Sequence, residues 1–316
     1  MDYINNMNDI VSGLKIKAYC IDYGYNDNYF YYDMKLFGSG KIKDIEKYIK
    51  EISIHLKSES IGRIKPISNL GIVRIEFVKP INKNVLLSDI LDSFSGDLPI
   101  ILGKSMYGDI LNIDLKHEPH MMIAGSSGSG KSNVLHTIIQ SLMITSTNDF
   151  YLIDPKGTEF NKYSEIERMN VTDNYSGALL FLEMLESIMN NRYLQLKSYP
   201  NLNLNYIVCI IDEFSDLIMQ DENKKFHDLL CKLAQKSRAA RIHFVIATQR
   251  PSVNFISGSI KVNFPSRIAC RVASQVDSRV ILDESGAELL NGKGDAYLSN
   301  NDNRMLRFQT AMADIQ

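Results

Sequence analysis

The sequence predicts an α/β protein: a mainly parallel sheet domain over residues 98–316, preceded by a small α+β domain over residues 1–97. Three observations predict it. After about residue 96, short apolar runs alternate with long amphipathic segments, the texture of βαβ units. One of those runs enters a glycine- and serine-rich turn that opens directly into a helical segment. Before residue 96 the pattern is different, with aromatic strands on either side of a single helical stretch.

In the first domain, NYFYYDMKLF (28–37) reads as a strand whose cleaner apolar face carries Phe30, Tyr32, Met34 and Leu36. KIKDIEKYIKEISIHL (41–56) reads as a helix, because Ile42, Ile45, Ile49, Ile52 and Leu56 step by three and four. GIVRIEFVKP (71–80) reads as a second strand, closed by Pro80. Nothing here has catalytic spacing, so the domain is expected to be structural or oligomer-forming. In the second domain the expected strands are HMMIAG (120–125), FYLID (150–154), YIVCIID (206–212), HFVIAT (243–248) and RIACRVA (267–273). Near-continuous apolar runs of this length suit strands covered on both faces. Two helices are expected between them. One runs from Gly177 to Ser198, with Leu182, Leu185, Met189, Tyr193 and Leu196 on one stripe. The other runs from Asn223 to Arg238, with Phe226, Leu229, Leu230, Leu233 and Ala234 inward.

Composition narrows the function classes. A chain that is 45% hydrophobic and 23% charged is not disordered. A net charge of −2 means that any nucleic-acid surface must be local. The longest apolar run, Tyr206 to Ile211, falls far short of the roughly 20 residues a membrane helix needs. The opening MDYINNMND lacks the order of a signal peptide, so a cytoplasmic location is expected. Cys20, Cys209, Cys231 and Cys270 lie far apart and form no CxxC pair. They read as buried small hydrophobes, not as zinc ligands or disulfides.

GSSGSGKS (125–132) fits the phosphate-loop pattern G-x-x-x-x-G-K-[ST] at every position, between an apolar strand and the helical NVLHTIIQSLM. Gly125, Gly128 and Gly130 let the backbone turn, so that the N–H groups of Ser126, Ser127, Ser129 and their neighbours through Asn133 face an anion at a helix start. In such a loop Lys131 reaches the β- and γ-phosphates of ATP and Ser132 offers its hydroxyl to Mg²⁺. The alternative is an ordinary Gly/Ser turn, and the strand–loop–helix setting argues against it. A second signal is YIVCIIDEF (206–214), where a buried strand runs into Asp212 and Glu213. At that sheet edge Asp212 is expected to hold Mg²⁺ and Glu213 to polarise the attacking water. Gln249, at the end of HFVIAT, is placed to sense the γ-phosphate; on spacing alone it is equally a polar strand cap. Between Lys224 and Arg279 there are 11 basic residues against Asp228 and Asp277, so 11 − 2 gives +9. That concentration suits backbone phosphates, and the lack of interleaved aromatics argues against base stacking. Lys224, Lys225 and Lys232 are expected instead on solvated helix faces or in structural ion pairs.

HMMIAGSSGSGKS, FYLIDPKGTEF, VCIIDEFSDLIM, KLAQKSRAARIHFVIATQRPSV, GSIKVNFPSRIACRVASQVDSRVILD and GAELLNGKGDAYL together closely resemble the motor domain of FtsK/SpoIIIE DNA translocases, densely from about 98 to 298. The resemblance implies a RecA-like P-loop motor assembled as a hexameric ring around double-stranded DNA. It carries the nucleotide loop onto Lys131 and Ser132, the acidic pair onto Asp212 and Glu213, and the γ-phosphate sensor onto Gln249. It places Arg238, in QKSRAA, where related ring motors supply an arginine finger to the neighbouring subunit; otherwise Arg238 reads as a cation facing a helix dipole. It places Arg250, Lys261 and Arg279 on basic positions of DNA-facing loops, while Gln275 stands where the family often has lysine. The family's N-terminal membrane region and C-terminal winged helix have no counterpart in these residues, which favours a motor of a plasmid, phage or mobile element. The alternatives are a DNA transfer or packaging ATPase docked on a protein pore, a protein-secretion ATPase module, and a nucleotide-binding structural subunit.

Overall fold

The computed structural model describes residues 3–25, 29–58, 60–79, 85–93, 96–145, 148–300 and 305–314. The chain divides into two units, Met1–Asn84 with Met106–Asp109, and Val85–Ser105 with Ile110–Gln316.

The first unit contains α1 (Tyr3–Gly13), β1 (Ala18–Tyr25), β2 (Tyr29–Leu36), α2 (Ile42–Lys47), α3 (Ile49–His55), β3 (Arg63–Ile67) and β4 (Ile72–Val78). Its four strands form an antiparallel sheet in the order β1-β2-β4-β3. The helical stretch expected over 41–56 is interrupted at Tyr48, whose backbone (φ −110°, ψ 14°) leaves the helical region. The apolar stripe survives the break: Ile45, Ile49 and Ile52 are buried with Tyr32 and Met34 of β2 and with Met7 and Val11 of α1. Asp33 and Arg74 face each other across β2 and β4 in a 2.7 Å ion pair, with the guanidinium 3.8 Å from the Tyr31 ring.

The second unit begins with the hairpin strands β5 (Pro99–Ser105) and β6 (Ile110–Asp114). It continues through β7 (His120–Ala124), α4 (Lys131–Thr145), β8 (Asp149–Ile153), β9 (Met169–Thr172), α5 (Tyr175–Ser198), β10 (Ile207–Ile211), α6 (Phe214–Gln220) and α7 (Lys225–Lys236). It ends with β11 (Ile242–Thr248), α8 (Gly258–Asn263), β12 (Ser266–Cys270), α9 (Gln275–Leu282), β13 (Asp295–Ser299) and β14 (Met305–Thr310). These strands form one sheet in the order β6-β5-β14-β13-β12-β7-β11-β10-β8-β9. From β12 to β9 every pairing is parallel; from β6 to β12 every pairing is antiparallel.

The parallel strands are apolar along most of their length because both faces are covered. In β10, Ile207, Cys209 and Ile211 pack with α5 and α7 on one face, while Val208 and Ile210 pack on the other with Val134, Leu135, Ile138, Ile139 and Leu142 of α4. Most of the expected stripes are buried, Leu182, Leu185 and Met189 in α5 and Phe226, Leu230, Leu233 and Ala234 in α7; Tyr193 and Leu229 are half-buried against the same core, and Leu196 is half-buried outside it. Chain order then creates the crevice. The chain leaves β7 through α4 for β8 on one side, while β12 flanks β7 on the other. Ligands of such sheets bind outside the carboxyl ends of the strands at this switch point. All four cysteines are free and buried. Among the described residues, no helix is long and apolar enough to cross a membrane.

Candidate functional site

The turn between β7 and α4 sits on the ends of the two neighbouring strands. Gly125 N–H donates to Thr248 O (3.2 Å) and Ser126 N–H to Arg271 O (2.9 Å). Ser127 and Gly128 lie exposed at its tip, and Ser129 is buried. Gly128 (φ +73°) and Gly130 (φ +104°) adopt conformations that L side chains rarely reach. A Cβ on Gly130 would also lie 2.3 Å from the Gly294 nitrogen, whose N–H donates to Ser129 O at 2.9 Å. Gly130→Ala is therefore expected to combine about 1–3 kcal/mol of backbone strain with a backbone clash. It should lower the melting temperature and abolish binding of a fluorescent ATP analogue; a melt and binding curve matching the parent would remove the geometric requirement. Asn133, in the first turn of α4, donates its amide to Ala311 O (2.8 Å) and accepts from Ala313 N–H (3.2 Å), tying the helix to the segment after β14.

The acidic pair of β10 meets this turn from below. The Lys131 ammonium lies 2.5 Å from Asp212 Oδ1 and 2.8 Å from Asp212 O, and both side chains are 3% exposed. Burial pushes the Asp212 carboxyl above its usual range, and Lys131 beside it acts in the opposite direction. Two charges removed from water are tolerable here because they pair with each other.

Glu213 is 1% exposed, yet its carboxylate is richly supplied with donors. Oε1 accepts from Ser215 Oγ (2.7 Å), Thr248 Oγ1 (2.7 Å) and Gln249 N–H (3.0 Å). Oε2 accepts from the same Gln249 N–H at 3.1 Å and faces Lys156 Nζ at 3.7 Å. Gln249 is thus in the site, through its backbone. Thr248 Oγ1 in turn accepts from Arg250 N–H at 3.0 Å, so a continuous hydrogen-bonded path joins Glu213 to the residue after Gln249.

The segment after β8 contributes residues that motif reading did not single out. Buried Asp154 accepts from the N–H groups of Lys156 (3.2 Å), Glu159 (2.7 Å) and Phe160 (3.1 Å), which fixes the loop. The loop then presents Lys156 to Glu213, and Glu159 to Ser132, whose hydroxyl donates to Glu159 Oε1 at 2.8 Å. The signal for it was DPKGTEF itself: acidic and basic residues directly after a buried strand, at the sheet edge where Asp212 also lies. The donor set suits Mg²⁺. Ser132 and Asp212 offer oxygen, and among the described residues no group of three or more His, Cys, Asp or Glu gathers as a dedicated cage. A nucleotide-borne Mg²⁺ needs only one or two protein oxygens beside phosphates and water.

The remaining predicted residues lie elsewhere. Arg238 is in the short 3-10 turn Ser237–Ala240 before β11, so the length of β11, about 20 Å at 3.3 Å per residue, separates it from Gln249. It is exposed, makes a 3.4 Å contact to Lys116 O, and lines a cavity of about 630 Å³ with Lys116, Lys236, Arg241, Tyr193 and Tyr206. Arg250 follows β11 and Arg279 lies in the last turn of α9; both are exposed. Lys261 is less free: it pairs with Asp283 at 2.5 Å, as does Arg267. Part of the +9 stretch is spent on structure, with Lys225 bound to Glu183 (2.7 Å) and Lys232 to Glu186 (2.5 Å).

A glycine-rich phosphate loop on an inner parallel strand, with a buried acidic pair ending the strand two places away, defines the RecA-like class of P-loop ATPase folds. Within that class, the chain belongs to the FtsK/SpoIIIE family, whose model matches residues 83–203 and 198–253. It is 39% identical over 287 residues to a DNA translocase FtsK of Borreliella burgdorferi, covering 82% of this chain and 36% of that protein. It is 34% identical over 316 residues to DNA translocase FtsK of Haemophilus influenzae, covering 85% of this chain and 60% of that one. The chain thus spans only part of these relatives. Among solved structures, the fold agrees with the pCW3 conjugation coupling protein TcpA at a TM-score of 0.71 and 22% identity, over 98% of this chain and 95% of that one. It agrees with the cytoplasmic domain of the Thermomonospora curvata Type VII secretion ATPase EccC at 0.64 and 22% identity, over 74% of this chain and 33% of that one.

Proposed function

We propose that this chain hydrolyses ATP with Mg²⁺ and uses the energy to move double-stranded DNA through a homohexameric ring. The observation that carries the coupling is the path from Glu213 through Thr248 to the backbone of exposed Arg250. The turn over Gly125–Ser132 and the first N–H groups of α4 receive the triphosphate. As they do, phosphate oxygens replace Asp212 as partner of Lys131, which leaves the Asp212 carboxylate and the Ser132 hydroxyl as the two protein oxygens of the metal site. A Mg²⁺ held by these two oxygens would offset the charge of the phosphates. Glu213 Oε2, the less crowded oxygen, orients and deprotonates the attacking water. Loss of the γ-phosphate changes what Glu213 and Gln249 can bond to, and Thr248 passes the change to Arg250. Arg250 and Arg279 hold backbone phosphates, with Lys261 supporting α8 through Asp283. Reading backbone and not bases, the motor has low sequence specificity.

Long linear duplex DNA is expected to stimulate ATP turnover, single strands and a polyanion much less, with stimulation falling as salt rises. Arg250→Ala and Arg279→Ala should each weaken binding evenly across sequences and lower the salt slope by about 1. ATP turnover indifferent to duplex at low salt would remove the DNA-motor reading. A DNA transfer ATPase docked on a protein pore is the second reading. It uses the same residues, and the fold agreement over nearly the whole of both chains with a conjugation coupling protein is what favours it. A pull-down that recovers a pore protein dependent on this chain's first unit would distinguish the two.

A further inference from the structure

We infer that Glu159 is the positioning residue of the metal site: it accepts the hydrogen bond of the Ser132 hydroxyl and so aims that oxygen's lone pair at Mg²⁺. The inference rests on the Mg²⁺–nucleotide reading of the preceding section. A hydroxyl that ligates a cation through oxygen must send its hydrogen elsewhere, and a misdirected hydrogen costs the ligand its lone pair. Ser132 Oγ has its acceptor in place, Glu159 Oε1 at 2.8 Å.

The acceptor is itself held. Glu159 Oε2 lies 3.2 Å from His136 Nε2, and His136 Nδ1 lies 2.9 Å from the Tyr163 hydroxyl. An ionised carboxylate only accepts, so His136 donates from Nε2. Its Nδ1 then accepts from Tyr163. Both donors, the Tyr163 hydroxyl and the His136 Nε2–H, point the same way along the chain Tyr163, His136, Glu159, and Ser132 donates to the other carboxylate oxygen. Burial holds the imidazole below its usual pKa, in keeping with this neutral arrangement. The backbone of Glu159 is anchored independently by its N–H on buried Asp154 at 2.7 Å. An acidic side chain fixed at both its backbone and its far oxygen, and spending its near oxygen on one hydroxyl of the phosphate loop, is the arrangement by which outer groups orient metal ligands.

The test is a Mg²⁺ titration of fluorescent ADP binding to the full chain, beside the same binding in EDTA. Glu159→Ala is expected to raise the half-saturating Mg²⁺ concentration by about 10- to 100-fold while leaving affinity in EDTA and the circular dichroism spectrum unchanged. Glu159→Gln keeps an acceptor oxygen for Ser132 and should return the titration close to the parent's. An E159A titration that superimposes on the parent's overturns the assignment. So does an equal loss of affinity in EDTA, which would mark a general structural role, or an E159Q titration that stays with E159A. A parent whose nucleotide binding ignores Mg²⁺ removes the underlying reading as well, an outcome separable from the others because it needs no variant.

Discussion

Glu213→Gln is expected to lower ATP turnover by about 10²- to 10⁴-fold, the range carried by a positioned general base, while ATP still binds. The substitution is unusually clean at this position. Oε1 carries the structural bonds, from Ser215, Thr248 and the Gln249 backbone. An amide oxygen accepts all three. The amide nitrogen then replaces Oε2, whose neighbours are a shared 3.1 Å bond and a 3.7 Å ion pair. Fold and the Oε1 contacts should therefore persist, while the basic oxygen is lost together with its ion pair to Lys156 and its share of the Gln249 N–H. Equilibrium binding of an ATP analogue and steady-state phosphate release, measured on the same preparation, test this. Normal phosphate release would exclude Glu213 as the base. Loss of binding together with turnover would make it a structural carboxylate.

Arg238→Ala should cost more, about 10³- to 10⁵-fold in turnover, the range measured for arginine fingers. The fold does not need this guanidinium, which is exposed and makes one long contact to Lys116 O. Nor can it serve its own phosphate loop, because it lies before β11 and the loop's neighbours lie after it. A catalytic role for Arg238 must therefore be exercised on an adjoining copy, whose phosphates would enter the cation-lined cavity shared with Lys116, Lys236 and Arg241. This makes a mixing experiment decisive. R238A subunits have an intact Glu213, and E213Q subunits have an intact finger. If subunits complete one another's sites, the mixture should recover turnover that neither protein has alone. Turnover equal to the sum of the separate samples would place Arg238 outside the reaction.

The residues that were legible in advance were those whose chemistry is local. A turn with glycines at Gly128 and Gly130 and a following Lys131 is specified by backbone conformation and spacing within eight residues. Strands β7, β8, β10, β11 and β12 were legible because both faces of a parallel strand are covered, which leaves an unbroken apolar run. Among the described residues, β1, β3, β5, β6, β9, β13 and β14 were not read from the sequence; β5 is nearly all buried, and its apolar run was overlooked, whereas two others had a weaker signature. β3 has no buried residue, and β6 mixes half-exposed with buried positions, so neither alternates cleanly. In α2 and α3 periodicity gave the inward face correctly but not the break at Tyr48, because a stripe of isoleucines is satisfied by one helix or by two.

By itself, then, the sequence determined the glycine-rich turn over 125–132, the acidic end of β10 and the class of fold, since each is written in neighbouring residues. Only the tertiary structure decided that Glu159 reaches Ser132, that Lys156 and Thr248 hold Glu213, that Lys261 is spent on Asp283, and that Arg238 stands at the far edge of the sheet from its own phosphate loop. Those relations join residues on different strands and loops. Their distances follow from strand order and chain direction in the sheet, quantities that no local pattern of residues contains.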